Sequence, residues 1–437
     1  MASYNGMDKL LFNGVTEGEH GPLSVIRNFF SELSQDNSFN RNETFEYKAV
    51  WMSYIEFSEY REMLEDQGLE NDEEHFREFF ETVVDRIKED GFRTIIVHAR
   101  PAGDALYESA YFPWAACISG EQGRSPGYDP LKIMVEIAHK KNVSLEAWVN
   151  PYRVLMSQDL SLLSEDNQAA YWLKHKSTRR NVLQYDGWTY YNPSSKEVRK
   201  LIVEGVREIV RKYDVDGIHL DDYFYPLFTE ENVNTDFDAR EYKAARKEGS
   251  IDPGMTLAQW RRDNVNLLVK ALYKAVKEED PSVTFGISPN GNLDSLTSDY
   301  QYYVDIKTWL ESDEYVDYIM PQIFWGFTND AAPFAELVDQ WVDLIGDSPV
   351  KLYAGLQLYR IGTRDGSPDE EEMMTEGLLK KQIDYLKQSK AWGGCCIFSY
   401  QYLDYEGRAC TNFDTVRAGK KRKKLFEQAI REIKQSF

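Results

Sequence analysis

Eight short apolar segments recur along the chain, and longer stretches with a helical spacing of apolar residues separate them. The apolar segments are residues 47–57, 92–101, 143–153, 215–226, 283–290, 315–326, 350–362 and 393–403. The intervening stretches, whose apolar residues fall at i, i+3, i+4 and i+7, are 72–89, 129–142, 195–213, 256–279, 333–345 and 373–390. The short runs predict strands, and the amphipathic stretches predict helices.

The regular alternation of strands and helices predicts an α/β fold with a parallel sheet, because each pair of parallel strands needs a crossover connection. Eight such units that close on themselves form a (β/α)8 TIM barrel, which is the fold we predict. An open, doubly wound sheet is the alternative. That fold would carry a G-x-G-x-x-G turn after its first strand, and the chain has no such sequence there.

The barrel is predicted to occupy residues 46–437, including a closing C-terminal helix. Residues 1–45 are interpreted as an N-terminal extension because their pattern is mixed and polar. Three long connections, 102–128, 154–193 and 227–255, each follow a predicted strand. Every loop that follows a barrel strand emerges on the C-terminal face. We therefore expect long loops on that face, around a substrate cleft.

Composition narrows the possible partners. Hydrophobic residues make up 42% of the 437 residues and charged residues 28%, as in ordinary globular domains, and no apolar run is long enough to span a bilayer. The net charge of −22 disfavours binding to the phosphate backbone of nucleic acids and to anionic lipid. We therefore expect neither nucleic acid nor a membrane as partner, and the sequence predicts no particular oligomeric state.

The cysteines and the N-terminus bear on the cellular compartment. Cys117, Cys395, Cys396 and Cys410 show no zinc-binding spacing, and the adjacent Cys395 and Cys396 would point to opposite faces of a strand. We expect buried, reduced thiols. The first residues, MASYNGMDKLLFNG, lack a basic segment followed by 7–15 apolar residues. The chain as given is therefore predicted to be cytoplasmic, or exported if a leader has been removed.

Polar residues end seven of the eight predicted strands. They are His98, Arg100 and Asp104; Asn150, Tyr152 and Arg153; His219, Asp221, Asp222 and Tyr223; Ser288 and Asn290; Gln322 and Trp325; Gln357, Tyr359 and Arg360; and Ser399, Gln401 and Tyr402. The carboxyl ends of barrel strands meet on the face where barrel enzymes carry their active sites. These residues form a candidate site, although a mutually hydrogen-bonded network at the barrel mouth would use the same residue types.

Asp221 and Asp222 are the most informative pair in this set. Side chains alternate along a strand, so His219, Asp221 and Tyr223 share one face while Asp222 lies on the other. We expect Asp221 to point into the cleft and Asp222 to brace a neighbouring strand. Glycoside hydrolysis uses two carboxyl groups, about 5–5.5 Å apart for retention and about 6.5–9.5 Å apart for inversion. The candidates for the second carboxyl group are Asp222, Asp104, Glu146 and Glu56, which is placed at the end of the first strand.

A metal centre is the competing use of the same residues. His98, His219, Asp221 and Asp222 could ligate Zn²⁺ or Mn²⁺, but histidines on separate strands give no diagnostic spacing. A Ser-His-Asp triad is unsupported because the chain has no G-x-S-x-G turn. We therefore expect no metal and no cofactor, with His98 and His219 acting as hydrogen-bonding residues.

Several segments of the chain resemble the glycosyl hydrolase-like 10 family of bacterial barrels. They are VHARPAGDALYESAYFPWA, SGEQGRSPGYDPLKIMVEIAHKKN, LEAWVNPYRV, DVDGIHLDDYFYP, FGISPNGN, MPQIFWGF and GGCCIFSY, in this order over roughly residues 47–405. The resemblance implies a (β/α)8 barrel that hydrolyses O-glycosidic bonds. The site residues it implies are His98, Arg100, Asp104, Asn150, Tyr152, Arg153, Asp221 and Asp222.

The segment around the fourth predicted strand is also similar to the chitinase-type motif D-G-x-D-x-D-x-E. Asp216, Gly217 and Asp221 match that motif. His219 and Tyr223 replace its other two acidic positions. The loss of the final Glu counts against the substrate-assisted chemistry of chitinase-type enzymes.

We therefore expect a glycoside hydrolase that cleaves a poly- or oligosaccharide, with Asp221 as general acid/base or nucleophile and Asp222 as its partner. The residues expected to contact the carbohydrate are His98, Arg100, Asp104, Asn150, Tyr152, Arg153, His219, Tyr223, Asn290, Gln322, Trp325, Tyr359 and Tyr402. The loop residues expected to reach further sugars are Trp114, Tyr128, Trp172 and Trp188. The alternatives are a non-catalytic carbohydrate-binding barrel and a metal-dependent hydrolase or deacetylase.

Overall fold

Eight parallel strands close into a barrel in the computed structural model, which describes residues 46–233, 237–407, 409 and 419–436. The barrel strands, numbered along the chain, are β1 (Tyr47–Met52), β2 (Thr94–Arg100), β3 (Ser144–Val149), β7 (Gly217–Leu220), β8 (Thr284–Ile287), β9 (Tyr318–Ile319), β10 (Lys351–Gln357) and β11 (Trp392–Phe398). They neighbour one another in this order, and β11 pairs with β1 to close the barrel. The predicted (β/α)8 barrel is confirmed, and its closure excludes the open, doubly wound sheet.

Three further strands form a small antiparallel sheet in the connection that follows β3. They are β4 (Arg153–Leu155), β5 (Val182–Tyr185) and β6 (Trp188–Tyr191), in the spatial order β4-β6-β5. The sequence pattern indicates only a long loop at 154–193. The sheet matters for the site because Arg153 begins β4 and Trp188 begins β6, so both residues sit on hydrogen-bonded backbone.

Helices fill the connections between the barrel strands. They are α1 (Tyr54–Gln67), α2 (Glu73–Glu89), α3 (Ala116–Ser119), α4 (Pro130–Lys140), α5 (Gln168–Lys174), α6 (Lys196–Lys212), α7 (Ala239–Glu248), α8 (Leu257–Glu279), α9 (Leu293–Thr297), α10 (Ile306–Leu310), α11 (Phe334–Ile345), α12 (Glu370–Met373), α13 (Leu378–Leu386), α14 (Tyr400–Leu403) and α15 (Lys420–Ser436). Each predicted amphipathic stretch contains a helix, except that 373–390 is divided between α12 and α13. Ser195 caps α6 by accepting a hydrogen bond from the Val198 amide at 3.2 Å.

The N-terminal extension expected at residues 1–45 lies outside the described residues, as does Cys410. Cys395 and Cys396 are buried free thiols, and Cys117 is a half-buried one. Cys395 packs in the outer layer and Cys396 inside the barrel, as alternation along a strand predicts. Within the described ranges, no helix combines the length and the apolar character needed to span a membrane.

Aromatic side chains fill much of the barrel interior. One buried cluster, separate from the layer between strands and outer helices, consists of Ala49, Trp51, Ile96, Trp148, Tyr318, Met320, Tyr353 and Cys396. Its members occupy alternate positions on their strands, as inward-facing residues of a barrel do. Gly286 of β8 leaves the space that the Tyr318 ring occupies, since a Cβ at Gly286 would lie 2.0 Å from that ring.

We expect Gly286→Ala to lower the free energy of unfolding by at least about 2 kcal/mol, within the usual cost of overpacking a core. The Tyr318 ring cannot move aside without breaking a buried hydrogen bond, because its hydroxyl donates to Glu146 at 2.5 Å. The measurement is urea unfolding, with Gly254→Ala as control. Gly254 meets only a flexible side chain, at 3.2 Å. A Gly286→Ala protein as stable as wild type would contradict this packing.

Candidate active site

Two adjoining cavities open at the carboxyl ends of the barrel strands. The central cavity, of about 410 Å³, is lined by Trp51, Ser53, Tyr54, Ile55, His98, Trp148, Arg153, Trp188, His219, Asp221, Tyr223, Ser288, Gln322, Phe324, Tyr359 and Phe398. The side cavity, of about 520 Å³, is lined by Asn290, Gln322, Phe324, Trp325, Asn329, Ala331, Tyr359, Arg360, Asp365, Ser367 and Pro368. Both cavities have the size of ordinary ligand pockets. Gln322, Phe324 and Tyr359 line both and therefore join them.

Asp221 directly follows β7 and lies at the central cavity, only 2% exposed. Its Oδ2 accepts hydrogen bonds from Trp148 Nε1 at 3.3 Å and Asn150 Nδ2 at 3.2 Å, and its Oδ1 accepts one from the Tyr223 amide at 3.3 Å. Burial raises the pKa of Asp221, while the charge of Arg153 and these hydrogen bonds oppose the rise. The placement agrees with the expectation that Asp221 points into the cleft.

Asp222 is 4% exposed and is absent from the lining of both cavities. Its carboxyl group accepts a hydrogen bond from the backbone of Asn290, in the segment that follows β8. Burial, together with the neighbouring charge of Asp221, raises the pKa of Asp222 to about 8. The pair thus combines a carboxyl group at the cavity with one that holds its proton at neutral pH.

His98 is a neutral imidazole whose tautomer follows from its contacts. Its ring stacks on Trp148 with the ring centres 3.4 Å apart, and its Nδ1 accepts a hydrogen bond from the Tyr54 amide at 3.2 Å. The proton is therefore on Nε2, which is buried and has no hydrogen-bond partner among the described residues. Burial, then the charge of Arg153, holds the pKa of His98 well below its usual value.

His219 is fixed in the opposite tautomer by a chain of hydrogen bonds inside the barrel. Trp51 Nε1 donates to His219 Nε2 at 3.1 Å, so the imidazole proton is on Nδ1 and is donated to the Tyr318 hydroxyl at 2.8 Å. Tyr318 and Tyr47 both donate to the Glu146 carboxylate, at 2.5 and 2.7 Å. Burial lowers the pKa of His219 to about 3. Both ring nitrogens are thus engaged, and His219 can neither ligate a metal nor transfer a proton without breaking this chain.

Arg153 lies between two aromatic rings at the central cavity. Its guanidinium carbon is 3.8 Å from the ring centre of Tyr223 and 4.7 Å from that of Trp188. The side chain is only 9% exposed. Its amide donates to Asn150 Oδ1 at 3.3 Å, so Asn150 orients both Arg153 and Asp221.

Several residues expected to contact substrate lie elsewhere. Arg100 donates to the carbonyl oxygens of Asn150 and Pro151, Asp104 accepts from Gln122 and Ala116, and Tyr152 is fully buried. Tyr402 packs on Phe426 of α15. Arg100, Asp104, Asn150, Tyr152 and Tyr402 are absent from the lining of both cavities.

The other candidates for a second carboxyl group also lie away from the central cavity. Glu56 is in α1 rather than at the end of β1, because it forms a capping box with Ser53. Glu146 lies deeper in the barrel, in the hydrogen-bond chain below His219, where burial raises its pKa to about 7. Burial raises the pKa of Asp104 to about 6. Among the described residues, Asp221 is the one carboxylate that lines the central cavity.

The loops contribute fewer aromatic residues to the cavities than expected. Trp188 lines the central cavity. Tyr128 packs against Phe76, and Trp172 packs against Tyr191, so both belong to the buried core. Trp114 is absent from the lining of either cavity. Of these four aromatic residues, Trp188 alone lines one of the two cavities, and that cavity is the central one.

Sequence reasoning missed two tryptophans that line the central cavity. Trp51 and Trp148 lie inside the strands rather than at their ends, and were not among the expected site residues. The alternation of side chains along a strand could have identified Trp148, because it lies two residues before Asn150 and therefore shares a face of the strand with it. Within the described part of the chain, no group of three or more His, Cys, Asp or Glu side chains is arranged to hold a metal ion.

The glycosyl hydrolase-like 10 family model matches residues 46–371. Glycosyl hydrolase YngK of Bacillus subtilis (strain 168) is 37% identical over 324 residues, which cover 70% of this chain and 61% of YngK. Glycosyl hydrolase DigH of Escherichia coli (strain K12) is 32% identical over 343 residues, which cover 74% of this chain and 75% of DigH. This chain thus spans less than two thirds of the length of YngK.

Solved structures with little sequence identity share the barrel. A beta-galactosidase from the psychrophilic Marinomonas ef1 superposes with a TM-score of 0.52 at 10% identity, over 89% of this chain and 58% of that one. An endo-1,4-beta-mannanase from Rhizomucor miehei gives 0.50 at 8% identity, over 89% and 95%. At such identities the likeness shows the fold alone.

The proton held by Asp222 predicts how stability depends on pH. An unfolded Asp has a pKa near 3.9. Since the folded value is about 8, the folded protein keeps a proton that the unfolded chain loses. The contribution of Asp222 to stability therefore falls as pH rises from about 4 to about 8. Asp222→Asn does not lose this contribution. As pH rises, its free energy of unfolding relative to that of wild type should therefore increase by up to about 1.4 kcal/mol per pH unit.

Urea unfolding between pH 5 and pH 8 measures this gain. The exposed Asp330 provides the matched control, and Asp330→Asn should follow the wild-type pH dependence. Parallel pH profiles for wild type and Asp222→Asn would contradict a proton held at Asp222.

Proposed function

The chain belongs to the glycosyl hydrolase-like 10 family, and we propose that it hydrolyses O-glycosidic bonds of a poly- or oligosaccharide, with Asp221 as the reacting carboxyl group. The observation that carries the proposal is the position of Asp221. It lies at the floor of an aromatic cavity at the carboxyl end of the barrel, where barrel enzymes perform their chemistry. The names of YngK and DigH support the same reaction class.

The cavity walls suit a sugar. Trp51, Trp148 and Trp188 offer flat apolar surface for the C–H faces of a pyranose ring. Gln322, shared by both cavities, offers an amide to hydroxyl groups. The side cavity adds Asn290, Asn329, Trp325 and Tyr359, which repeat the same combination of rings and amides. We therefore assign one sugar to the central cavity and a neighbouring sugar to the side cavity.

Asp221 can act as an acid because burial raises its pKa. In the proposed reaction its proton passes to the glycosidic oxygen as the C–O bond breaks, and positive charge develops at the anomeric carbon. The carboxylate that forms is stabilised by the N–H groups of Trp148 and Asn150. Water then adds to the anomeric carbon and returns a proton to Asp221. Asp222, away from the cavity, keeps its own proton and so limits the negative charge beside Asp221.

A non-catalytic carbohydrate-binding barrel is the second candidate function. It is favoured by the presence of one carboxylate, Asp221, in the described lining of the central cavity, whereas glycoside hydrolysis commonly uses two. The two functions differ in turnover rather than in binding.

We expect Asp221→Asn to lower turnover about 10²–10⁴-fold while the protein stays folded, because the variant has no proton to give the leaving group. Release of reducing ends from a polysaccharide library measures turnover. The matched control is Asp216→Asn, since Asp216 lies directly before β7, at the other end of the same strand. That variant should keep turnover near wild type.

Near-wild-type turnover in Asp221→Asn would contradict the assignment of the reacting group. If wild type binds a polysaccharide tightly but releases no reducing ends, the second candidate function is correct.

A further inference from the structure

Arg153 is a buried cation that forms no ion pair with any described residue. The described residues include five buried arginines. Arg86, Arg261 and Arg360 each form an ion pair with an aspartate, at 2.6–2.8 Å, and Arg100 donates to backbone carbonyl oxygens. The guanidinium of Arg153 instead packs on the rings of Trp188 and Tyr223 and is hydrogen-bonded to the Tyr223 side chain. A buried cation of this kind is costly unless something compensates its charge.

Asp221 does not supply that compensation by contact. The charge of Arg153 influences the pKa of Asp221, so the two groups are near each other, yet no ion pair joins them. The oxygens of Asp221 instead accept from Trp148, Asn150 and the Tyr223 amide. Apart from its hydrogen bond with the Tyr223 side chain, the guanidinium therefore keeps N–H groups available at the cavity.

A second N–H donor lines the same cavity as Arg153. His98 Nε2 carries a proton and has no hydrogen-bond partner among the described residues, and its side chain lines the same cavity. The charge of Arg153 lowers the pKa of His98, which places the two groups within electrostatic reach of each other. The cavity thus presents a fixed positive charge, hydrogen-bonded to the Tyr223 side chain, and a neutral N–H donor without an acceptor among the described residues.

We propose that Arg153 and His98 together bind a carboxylate substituent on the sugar that occupies the central cavity. The planar guanidinium matches the two oxygens of a carboxylate and can donate to both. Trp188 and Tyr223 pack on the guanidinium and hold it in place. Its burial strengthens the attraction to an anion. A neutral hydroxyl group would leave the buried charge uncompensated. The substrate class is therefore an acidic saccharide.

The net charge of the chain favours a sparsely charged saccharide. At −22, the protein repels a densely charged polyanion at long range. A single carboxylate, bound at short range to Arg153 in the central cavity, escapes most of this repulsion. This proposal rests on the proposed function only in taking the ligand to be a carbohydrate.

Calorimetric binding tests the proposal. The probes are oligosaccharides that contain galacturonate, glucuronate or mannuronate, each paired with its carboxyl-reduced counterpart, together with a sulfated oligosaccharide. The protein is the full chain carrying Asp221→Asn, so that bound probes persist. We expect the best carboxylated probe to bind at least tenfold more tightly than its reduced counterpart. Adding Arg153→Gln should abolish that difference, and Arg153→Lys should retain part of it.

Three variants, Arg211→Gln, His98→Gln and His98→Ala, separate recognition from folding. Arg211→Gln removes an exposed arginine of α6 and should leave the tenfold preference intact. His98→Gln keeps an N–H donor and should preserve more of the preference than His98→Ala. If Arg153→Gln unfolds, the comparison of His98→Gln with His98→Ala still measures how much the N–H donor at residue 98 contributes to carboxylate binding.

Equal binding of carboxylated and reduced probes, preference for the sulfated probe, or no binding to any probe would overturn the proposal. Hydrolysis of a neutral polysaccharide that proceeds equally well in Arg153→Gln would overturn it too, while leaving the proposed function intact. Carboxylate-dependent binding without hydrolysis would support it and would contradict the proposed function instead.

Discussion

In every barrel strand the side chains alternate between the interior and the surrounding helices, and closure of the sheet brings the interior set together. Parallel pairing places Trp148 of β3 beside His219 of β7. The next inward position beyond His219 is Asp221, where the strand ends and the cavity begins. The position of Asp221 is therefore a consequence of barrel geometry.

A chain of hydrogen bonds runs through the barrel interior beneath the cavity, and the Trp51 indole sets which group donates at each step. Because Trp51 can only donate, His219 must accept on Nε2 and donate from Nδ1, which directs the Tyr318 hydroxyl toward Glu146. The chain of donors ends on a carboxylate that accepts two phenol hydrogen bonds, the second of them from Tyr47. Burial keeps His219 neutral by lowering its pKa, and this network holds the imidazole ring in place at the cavity floor.

The barrel and the inward direction of Asp221 followed from sequence because both depend on local periodicity. The capping box at Ser53 was also readable as S-x-x-E, yet Glu56 was assigned to a strand end, which is wrong. The loop aromatics were harder to place. Tyr128 and Trp172 are buried by partners distant in sequence or in another element, and no local pattern reports such contacts. The small sheet that positions Arg153 was not predicted either, because β4 pairs with a strand distant in sequence.

The central claim is that a glycosidic bond is held at Asp221 in the central cavity. A crystal structure of the Asp221→Asn protein with a bound oligosaccharide tests it most directly. The account predicts a sugar ring against Trp148, with the glycosidic oxygen within about 3 Å of the residue 221 side chain. A saccharide bound outside the central cavity, or one with every glycosidic oxygen beyond reach of residue 221 even through a single water, would contradict the account.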